Sequence, residues 1–274
     1  MSQLDTATES TPLRLKRATK GRAHKETVGK LIFVILLFTI IVSAMYWVNY
    51  QAKGRLDIFL GLYGTVMITY LIGKMLLSFR YKPIQTEAPI KKVSVVIPSF
   101  NENPEAAVKT VNSVIDQDYP IHEIFFIDDG SKETLAYLQV KKMENIYPNL
   151  KAFRYENNKG KREAQIFAFE RLTGDMIVTV DSDGYLYPNA VRELLKPFND
   201  PEVIAVTGYI NARNRDDNWF TRLLDMRYDN AFRVERAAQS VTGNVLVCSG
   251  PSSCYKAEAI LENIERYKHQ TFLG

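Results

Sequence analysis

The sequence predicts an α/β fold, a mostly parallel sheet with helices on both faces, preceded by a two-helix transmembrane hairpin. Beyond residue 91, short β-branched runs alternate with segments of helical spacing. Strands joined by helical crossovers lie parallel, so this alternation predicts a sheet that is covered on both faces. Closer to the amino terminus, two long apolar runs follow one another, and their length is typical of membrane helices.

The first element, residues 1–30, is a basic tail. It carries an excess of four positive charges, which equals the net charge of the whole chain, so the remaining residues are balanced. A nucleic-acid-binding domain would spread its positive excess over a folded face, and this class is therefore excluded. A basic segment directly before an apolar run is typical of a cytoplasmic juxtamembrane tail.

Residues 31–80 predict two transmembrane helices, at about 31–50 and 58–79. The second run contains a single charge, Lys74, whose ammonium group we expect to reach the lipid headgroups. Both ends of the hairpin are then cytoplasmic. A cleaved signal peptide and a buried core helix are the alternatives, but the long basic tail and the succession of two runs argue against them.

Residues 91–274 predict a cytosolic domain in which strands and helices alternate. The predicted strands are 93–98, 123–127, 150–155, 175–180 and 203–209, and the predicted helices are 104–115, one that ends near 144, 160–172 and 188–197. In such sheets ligands bind at the carboxyl ends of the strands. Three of these strand ends carry acidic residues, namely Glu102, Asp128, Asp129, Asp181 and Asp183.

Asp181 and Asp183 lie on one tight loop directly after an apolar strand. Hard carboxylate oxygens at this spacing suit Mg²⁺ or Mn²⁺ that bridges a diphosphate. An ordinary surface turn or helix cap is the alternative for a bare D-x-D tripeptide. The position of the motif, beside two other acidic strand ends, favours the metal site.

Two further loops predict contacts with a nucleotide. Asp128 and Asp129, followed by a glycine, can accept from a uracil NH or from ribose hydroxyls, although a plain helix cap explains them equally well. Residues 157–162 place Lys159 and Lys161 at the start of a helix, where cations oppose the helix dipole. A bound diphosphate would explain them, and a solvated basic turn is the alternative.

The carboxyl-terminal third contains fewer chemical signals. Residues 249–251 indicate a rigid turn, and residues 228–240 indicate an amphipathic structural helix with charged pairs. Cys248 and Cys254 are the only cysteines, and with no His nearby they do not predict a zinc site. A cytosolic placement predicts that both thiols are reduced.

Four short motifs together resemble the family-2 glycosyltransferases of GT-A fold. They are VVIPSFNE at 95–102, IDDGS at 127–131, NKGKR at 158–162 and VDSD at 180–183. The long stretches 211–251 and 265–274 are similar to hyaluronan synthases of the streptococcal type. The resemblance covers about residues 93–274, and the membrane hairpin matches as well.

The resemblance implies a multi-pass plasma-membrane enzyme with a cytosolic catalytic domain. Its substrates would be UDP-GlcNAc and UDP-glucuronate, and the products a growing polysaccharide formed by inverting, Mg²⁺- or Mn²⁺-dependent transfer. The donor would be bound by Phe100, Glu102, Asp128, Asp129, Lys159, Lys161 and Asp181. The metal would be bound by Asp181 and Asp183, and the acceptor pocket would be lined by Cys248, Ser249, Gly250 and Pro251.

The sequence also departs from the pattern of such synthases. Their general-base motif and later membrane spans follow the segment at 265–274, so we expect the catalytic module to be incomplete and the chain alone to be inactive. No residue is therefore assigned as the catalytic base. A chitin-oligosaccharide or cellulose-type synthase and a non-catalytic nucleotide-sugar-binding fragment remain the alternatives.

Overall fold

The computed structural model describes residues 32–33, 35–51, 58–248 and 250–270. The chain forms two compact units. The first runs up to Tyr81 and also contains Asn230–Val245, and the second contains Lys82–Asp229 and the residues from Leu246 onward. The predicted basic tail, residues 1–30, lies outside the described residues.

Two helices, α1 (Ile35–Gln51) and α2 (Ile58–Ser78), pack against each other in the first unit. A Cβ built on Gly61 would lie 3.6 Å from the Met45 side chain, and one on Gly73 would lie 3.9 Å from Leu37. The helices are therefore antiparallel, as the hairpin prediction requires. Within α2, the stretch Gly61–Ser78 is long and apolar enough to cross a membrane, whereas α1 is apolar but shorter. That both helices cross a membrane stays a prediction.

The charge in α2 has a partner inside the same unit. Nζ of Lys74 lies 2.7 Å from Oε1 of Glu235, which belongs to a π-helical segment, Asn230–Arg236. This segment and the following α8 (Ala237–Val241) contact α2. The Glu235 carboxylate therefore balances the charge of Lys74. That the Lys74 ammonium reaches the lipid headgroups stays a prediction.

The second unit is built on a six-stranded sheet of order β3-β2-β1-β4-β6-β5. Its strands are β1 (Val93–Ser99), β2 (Glu123–Asp128), β3 (Leu150–Arg154), β4 (Met176–Val180), β5 (Ala205–Thr207) and β6 (Ser252–Lys256). The first four strands are parallel, and β6 runs antiparallel to both β4 and β5. The predicted parallel sheet is therefore confirmed for β1 to β4.

Helices cover both faces of this sheet. They are α3 (Pro104–Ile115), α4 (Leu135–Met143), α5 (Lys161–Phe169), α6 (Ala190–Leu195), α9 (Ala257–Glu262) and α10 (Ile264–Lys268). A further helix, α7 (Trp219–Asp229), is mostly exposed. Along β1, Val95 contributes to a core with α3 and α4, while the next residue, Val96, contributes to a second core with α5. Because neighbouring strand residues point to opposite faces, a strand buried on both sides must be apolar throughout.

The strand β6 was not anticipated from the sequence. The predicted series ended with the strand at 203–209, yet β6 lies inside the sheet between β4 and β5. Its residues, SSCYK, show neither an apolar run nor a clean alternation. Ser253 is nevertheless fully buried, because β6 pairs with β4 inside the sheet. The strand therefore depends on its neighbours and not on the β-propensity of its own side chains.

At the opposite end of the sheet from the acidic loops, Glu123 is buried among donors. Its Oε1 accepts from Ser94 Oγ at 2.8 Å and from the Thr173 NH at 2.5 Å, and its Oε2 lies 3.1 Å from Lys151 Nζ. Burial alone would raise the pKa of this carboxyl. The hydrogen bonds from Thr173, Ser94 and Lys151 outweigh burial and hold the pKa of Glu123 below its ordinary value.

Glu123→Gln is expected to destabilise the second unit by about 1–3 kcal/mol at neutral pH, because an amide NH₂ would face donors that now point at an oxygen. A carboxylate with a lowered pKa contributes stability above its unfolded-state pKa and loses it as the pH falls through the folded value. The difference between parent and variant should therefore narrow below about pH 4. Denaturant unfolding of the parent and the variant at pH 7 and at about pH 3 measures this difference in the free energy of unfolding.

The matched control is Glu258→Gln, which changes an exposed glutamate of the same unit. We expect it to alter the free energy of unfolding by less than about 0.5 kcal/mol at either pH. Equal effects of the two substitutions would contradict the assigned role of Glu123.

Candidate active site

The candidate site lies at the carboxyl edge of the parallel strands. Each of β1 to β4 is followed there by a loop, and we call these four loops, residues 100–103, 129–134, 155–160 and 181–189, the edge loops. Because the four strands are parallel, their carboxyl ends meet at one edge of the sheet. Hydrogen bonds and ion pairs join each edge loop to a neighbouring loop or helix.

The loop after β1 is bonded to the loop after β2. The NH of Asn101 donates to Oγ of Ser131 at 2.8 Å, and the NH of Lys132 donates to Oδ1 of Asn101 at 2.9 Å. Asn101 has a φ of +50°, which asparagine tolerates better than most residues. The two bonds place Phe100 and Glu102 beside the loop that carries Asp129.

The loop after β4, which contains the D-x-D motif, is bonded to the loop after β1. Oγ of Ser182 donates to Oε2 of Glu102 at 2.8 Å, and the Ser182 carbonyl accepts from Oγ1 of Thr110 in α3 at 2.8 Å. Within the motif, the Gly184 NH donates to the Asp181 carbonyl at 2.9 Å and closes a turn. Asp181 is half-buried and Asp183 is exposed, so both carboxylates remain accessible to solvent.

Asp128 is buried in an ion pair. Its Oδ2 lies 3.0 Å from Nε of Arg154, and its Oδ1 accepts from Oγ of Ser131. Nη2 of Arg154 also donates to the Ser131 carbonyl at 2.9 Å. The pair thus fixes the end of β2 against β3, and the predicted contact of Asp128 with the nucleoside stays a prediction.

Asp129 joins the loop after β2 to the loop after β3. It is only 2% exposed, its Oδ1 accepts from the Lys159 NH at 2.9 Å, and its Oδ2 accepts from the Gly160 NH at 2.8 Å. The next residue, Gly130, has a φ of +70°, and a Cβ built there would lie 2.4 Å from the carbonyl carbon of Asn157. The two loops are therefore in contact so close that only a glycine fits.

The start of α5 is bonded to the D-x-D loop. Nζ of Lys161 forms an ion pair with Oδ1 of Asp181. The other predicted lysine, Lys159, is exposed, and its Nζ lies 4.4 Å from the centre of the Tyr155 ring. Among the contacts of the described residues, Lys161 therefore reaches the acidic motif and Lys159 does not.

The predicted acceptor turn lies next to the same pair. In the register of β4 and β6, Val180 is opposite Ser252, so Asp181 and Pro251 are the next residues on the two strands. A Cβ built on Gly250 would lie 3.5 Å from Nζ of Lys161 and 3.8 Å from Oδ1 of Asp181. The unanticipated strand β6 therefore positions this turn.

The remaining predicted residues have less definite surroundings. Phe100 is 47% exposed, directly after β1. Cys248 is half-buried, and its carbonyl accepts from the Tyr255 hydroxyl at 3.5 Å. Ser249 lies outside the described residues. Cys248 and Cys254 are not joined to each other in this structure, and their reduced state in the cell stays a prediction.

Sequence reasoning missed the residues that connect the edge loops, chiefly Ser131, Ser182, Thr110 and Arg154. Ser131 and Ser182 lie inside the quoted motifs, IDDGS and VDSD, so their positions were visible but their partners were not. Thr110 and Arg154 carry no signal of this kind, because each contacts a residue that is distant in the chain.

The donor set is suitable for a divalent cation that binds together with a phosphate. Among the described residues, no three His, Cys, Asp or Glu side chains form a ready-made metal cluster. Mg²⁺ commonly takes one or two carboxylates and completes its shell with substrate phosphates and water. Asp181 and Asp183, solvent-accessible on one turn, fit that arrangement.

Comparisons with known proteins agree with this architecture. Residues 94–263 match the profile described as glycosyl transferase family 2. A mannosyltransferase from Pyrobaculum calidifontis, solved in complex with GDP-Man and Mn²⁺, shares the fold at a TM-score of 0.55 and 19% identity. The alignment covers 82% of this chain and 58% of that one. The GT-A-type fold implied by the motifs is confirmed.

Curated relatives are similar over most of the chain. The chain is 50% identical to hyaluronan synthase of Streptococcus pyogenes over 251 residues, which is 90% of this chain and 59% of the relative. It is 38% identical to an N-acetylglucosaminyltransferase of Rhizobium meliloti (strain 1021), covering 70% of this chain and 45% of that protein. The chain therefore spans less than two thirds of the length of either relative.

Gly130→Ala is expected to destabilise the second unit strongly, because a Cβ cannot be placed against the backbone of Asn157 and Asn158 without moving one loop. Gly160→Ala is the control, since Gly160 has a φ of +97° but nothing within 4 Å of its Cβ position. Backbone strain alone costs about 1–3 kcal/mol, and overpacking adds about 1–3 kcal/mol at Gly130. Denaturant unfolding that finds the two variants equally stable would contradict the close contact.

Cys254 is expected to resist thiol reagents until the protein unfolds. It is fully buried in β6, and burial raises the pKa of its thiol, which suppresses the reactive thiolate. Maleimide labelling of the native chain should therefore modify Cys248 only, and Cys248→Ser should remove the signal. Labelling that persists in Cys248→Ser without denaturant would show that β6 is not buried.

Proposed function

Because this chain belongs to glycosyl transferase family 2, we propose that it binds UDP-sugars at the edge loops and contributes to hyaluronan synthesis. The observation that carries the proposal is the set of bonds that brings Glu102, Asp129, Lys161, Asp181 and Gly250 to one edge of the sheet. The identity to the streptococcal synthases supports hyaluronan as the product and UDP-GlcNAc and UDP-glucuronate as donors.

The proposed nucleoside contacts come from the loops after β1 and β2. Exposed and apolar, the Phe100 ring offers a face for stacking against uracil. Each oxygen of Asp129 accepts one backbone NH and retains a lone pair for a uracil NH or ribose hydroxyl. Asp128 would support the nucleoside site by fixing the end of β2, and Glu102 would support it by holding the D-x-D loop.

The proposed diphosphate contacts come from Lys159, Lys161 and the D-x-D loop. Asp181 and Asp183 would bind Mg²⁺ or Mn²⁺ together with the phosphates. When bound, the cation offsets the charge that develops on the departing nucleoside diphosphate. Lys161 supplies a second positive charge at the same position, since its ammonium already reaches Asp181.

The proposed acceptor site is formed by the turn at Cys248, Ser249, Gly250 and Pro251. The Cβ position of Gly250 lies within 4 Å of both Lys161 and Asp181, so the missing side chain leaves room beside the charged pair. Inverting transfer would require an acceptor sugar bound there to attack the donor from the side opposite its leaving group. No residue is assigned as the general base.

We place this domain on the cytoplasmic side of the plasma membrane. In this proposal α1 and α2 cross the bilayer as a hairpin, in contact with lipid, and both of their outer ends are cytoplasmic. The apolar length of α2 and the antiparallel packing of the two helices support it. The growing polysaccharide would be a further partner at the membrane.

A transferase of N-acetylglucosamine alone is the second candidate. The 38% identity to the rhizobial N-acetylglucosaminyltransferase favours it. Both candidates use the same edge loops and differ in whether UDP-glucuronate is a ligand.

UDP binding to the purified chain should depend on Mn²⁺, and Asp183→Ala should remove that dependence. A lost charge-assisted contact corresponds to about tenfold or more in affinity. Asp217→Ala, which removes another exposed aspartate of the second unit, should bind UDP as the parent does. Calorimetry with and without Mn²⁺ measures this, and equal metal dependence in parent and Asp183→Ala would reject Asp183 as a ligand.

The two donors separate the two candidate functions. In competition with labelled UDP, both UDP-GlcNAc and UDP-glucuronate should displace the label more effectively than UDP-glucose. A chain that discriminates against UDP-glucuronate as it does against UDP-glucose is a single-donor enzyme.

A further inference from the structure

Lys161 occupies a position that a metal ion would need. Its ammonium is paired with Oδ1 of Asp181, the half-buried carboxylate of the D-x-D loop. The two side chains are 52% and 26% exposed, so solvent and ions reach the pair. One carboxylate oxygen cannot hold an ammonium group and a divalent cation in the same direction at once.

Lys161 is not placed there for the stability of its helix. It is the first residue of α5, where a positive charge opposes the helix dipole, and the preceding cap residue, Gly160, offers no side-chain hydrogen bond. Instead the loop before it is fixed from outside, by the two hydrogen bonds from Lys159 and Gly160 to Asp129. The fold therefore places the ammonium group of Lys161 beside Asp181, although a positive charge at the start of a helix is electrostatically unfavourable.

We propose that Lys161 is an internal counter-ion that a divalent cation must displace from Asp181, and that the displaced ammonium then binds the diphosphate of the donor. This proposal rests on the proposed function. Cation alone meets competition from Lys161, and nucleotide alone meets a lysine that is already paired. Bound together, they exchange one ion pair for two, so each increases the affinity for the other. Such coupling is reciprocal by thermodynamic necessity.

A competing lysine and an ordinary surface ion pair predict opposite changes in the affinity for the cation when the lysine is removed. A lysine that only holds the D-x-D loop in place would, when removed, weaken the binding of both cation and nucleotide. A competing lysine, when removed, strengthens the binding of cation alone and weakens the binding of nucleotide. The two measurements together therefore separate the explanations.

The test is Lys161→Met in the full chain, with Mn²⁺ binding followed by electron paramagnetic resonance and UDP binding by calorimetry. We expect Mn²⁺ alone to bind about two- to fivefold more tightly, the factor that an exposed ion pair contributes. In saturating Mn²⁺, UDP should bind about tenfold or more weakly, since a charge-assisted contact to phosphate is lost. Lys161→Arg, which keeps the charge, should retain weak Mn²⁺ binding.

Two controls make the result specific. Lys132→Met removes an exposed positive charge from the loop after β2, and it should leave the affinity for Mn²⁺ alone unchanged. In an Asp181→Asn background, Lys161→Met should no longer strengthen Mn²⁺ binding, because the contested carboxylate is gone. A gain that is equal in Lys132→Met would show only a general effect of charge and would overturn the proposal.

Unchanged or weaker Mn²⁺ binding in Lys161→Met would also overturn it, provided that the parent binds UDP with Mn²⁺. If the parent binds no UDP under any metal condition, the proposed function itself fails. The two failures are thus distinguished by the parent protein alone.

Discussion

The carboxylate of Asp129 is the contact on which the arrangement of the candidate site depends. It is buried, and both of its oxygens accept backbone NH groups from the loop that follows β3. Gly130 then allows the two loops to approach within contact distance. Because α5 starts at the end of this loop, the position of Lys161 beside Asp181 follows from the Asp129 bonds.

Much of the fold could be predicted from the sequence because three strands are buried on both faces. Every residue of β1, β2 and β4 is buried, so these strands appear as apolar runs that end abruptly in polar loops. Parallel topology then brings their carboxyl ends together. This is why the acidic edge of the sheet can be predicted from the sequence.

The parts that could not be predicted depend on partners far away in the chain. The hydroxyl-rich β6 is a strand only because β4 and β5 flank it. The Ser182–Glu102 bond joins residues 80 positions apart, and the Lys74–Glu235 pair joins residues 161 positions apart. Local patterns carry no information on such contacts, whereas they do indicate which residues are polar and where the turns lie.

The position of β6 in the sheet also constrains how the chain can fold. β5 precedes β6 by more than forty residues in sequence, yet the residues of β5 pair with β6 and not with β4. During synthesis the side of β4 that β6 later occupies therefore has unpaired NH and CO groups, which are open to pairing with another chain. Completion of the central sheet must wait for the segment around Cys254 to leave the ribosome, so chaperone protection is most needed in that interval.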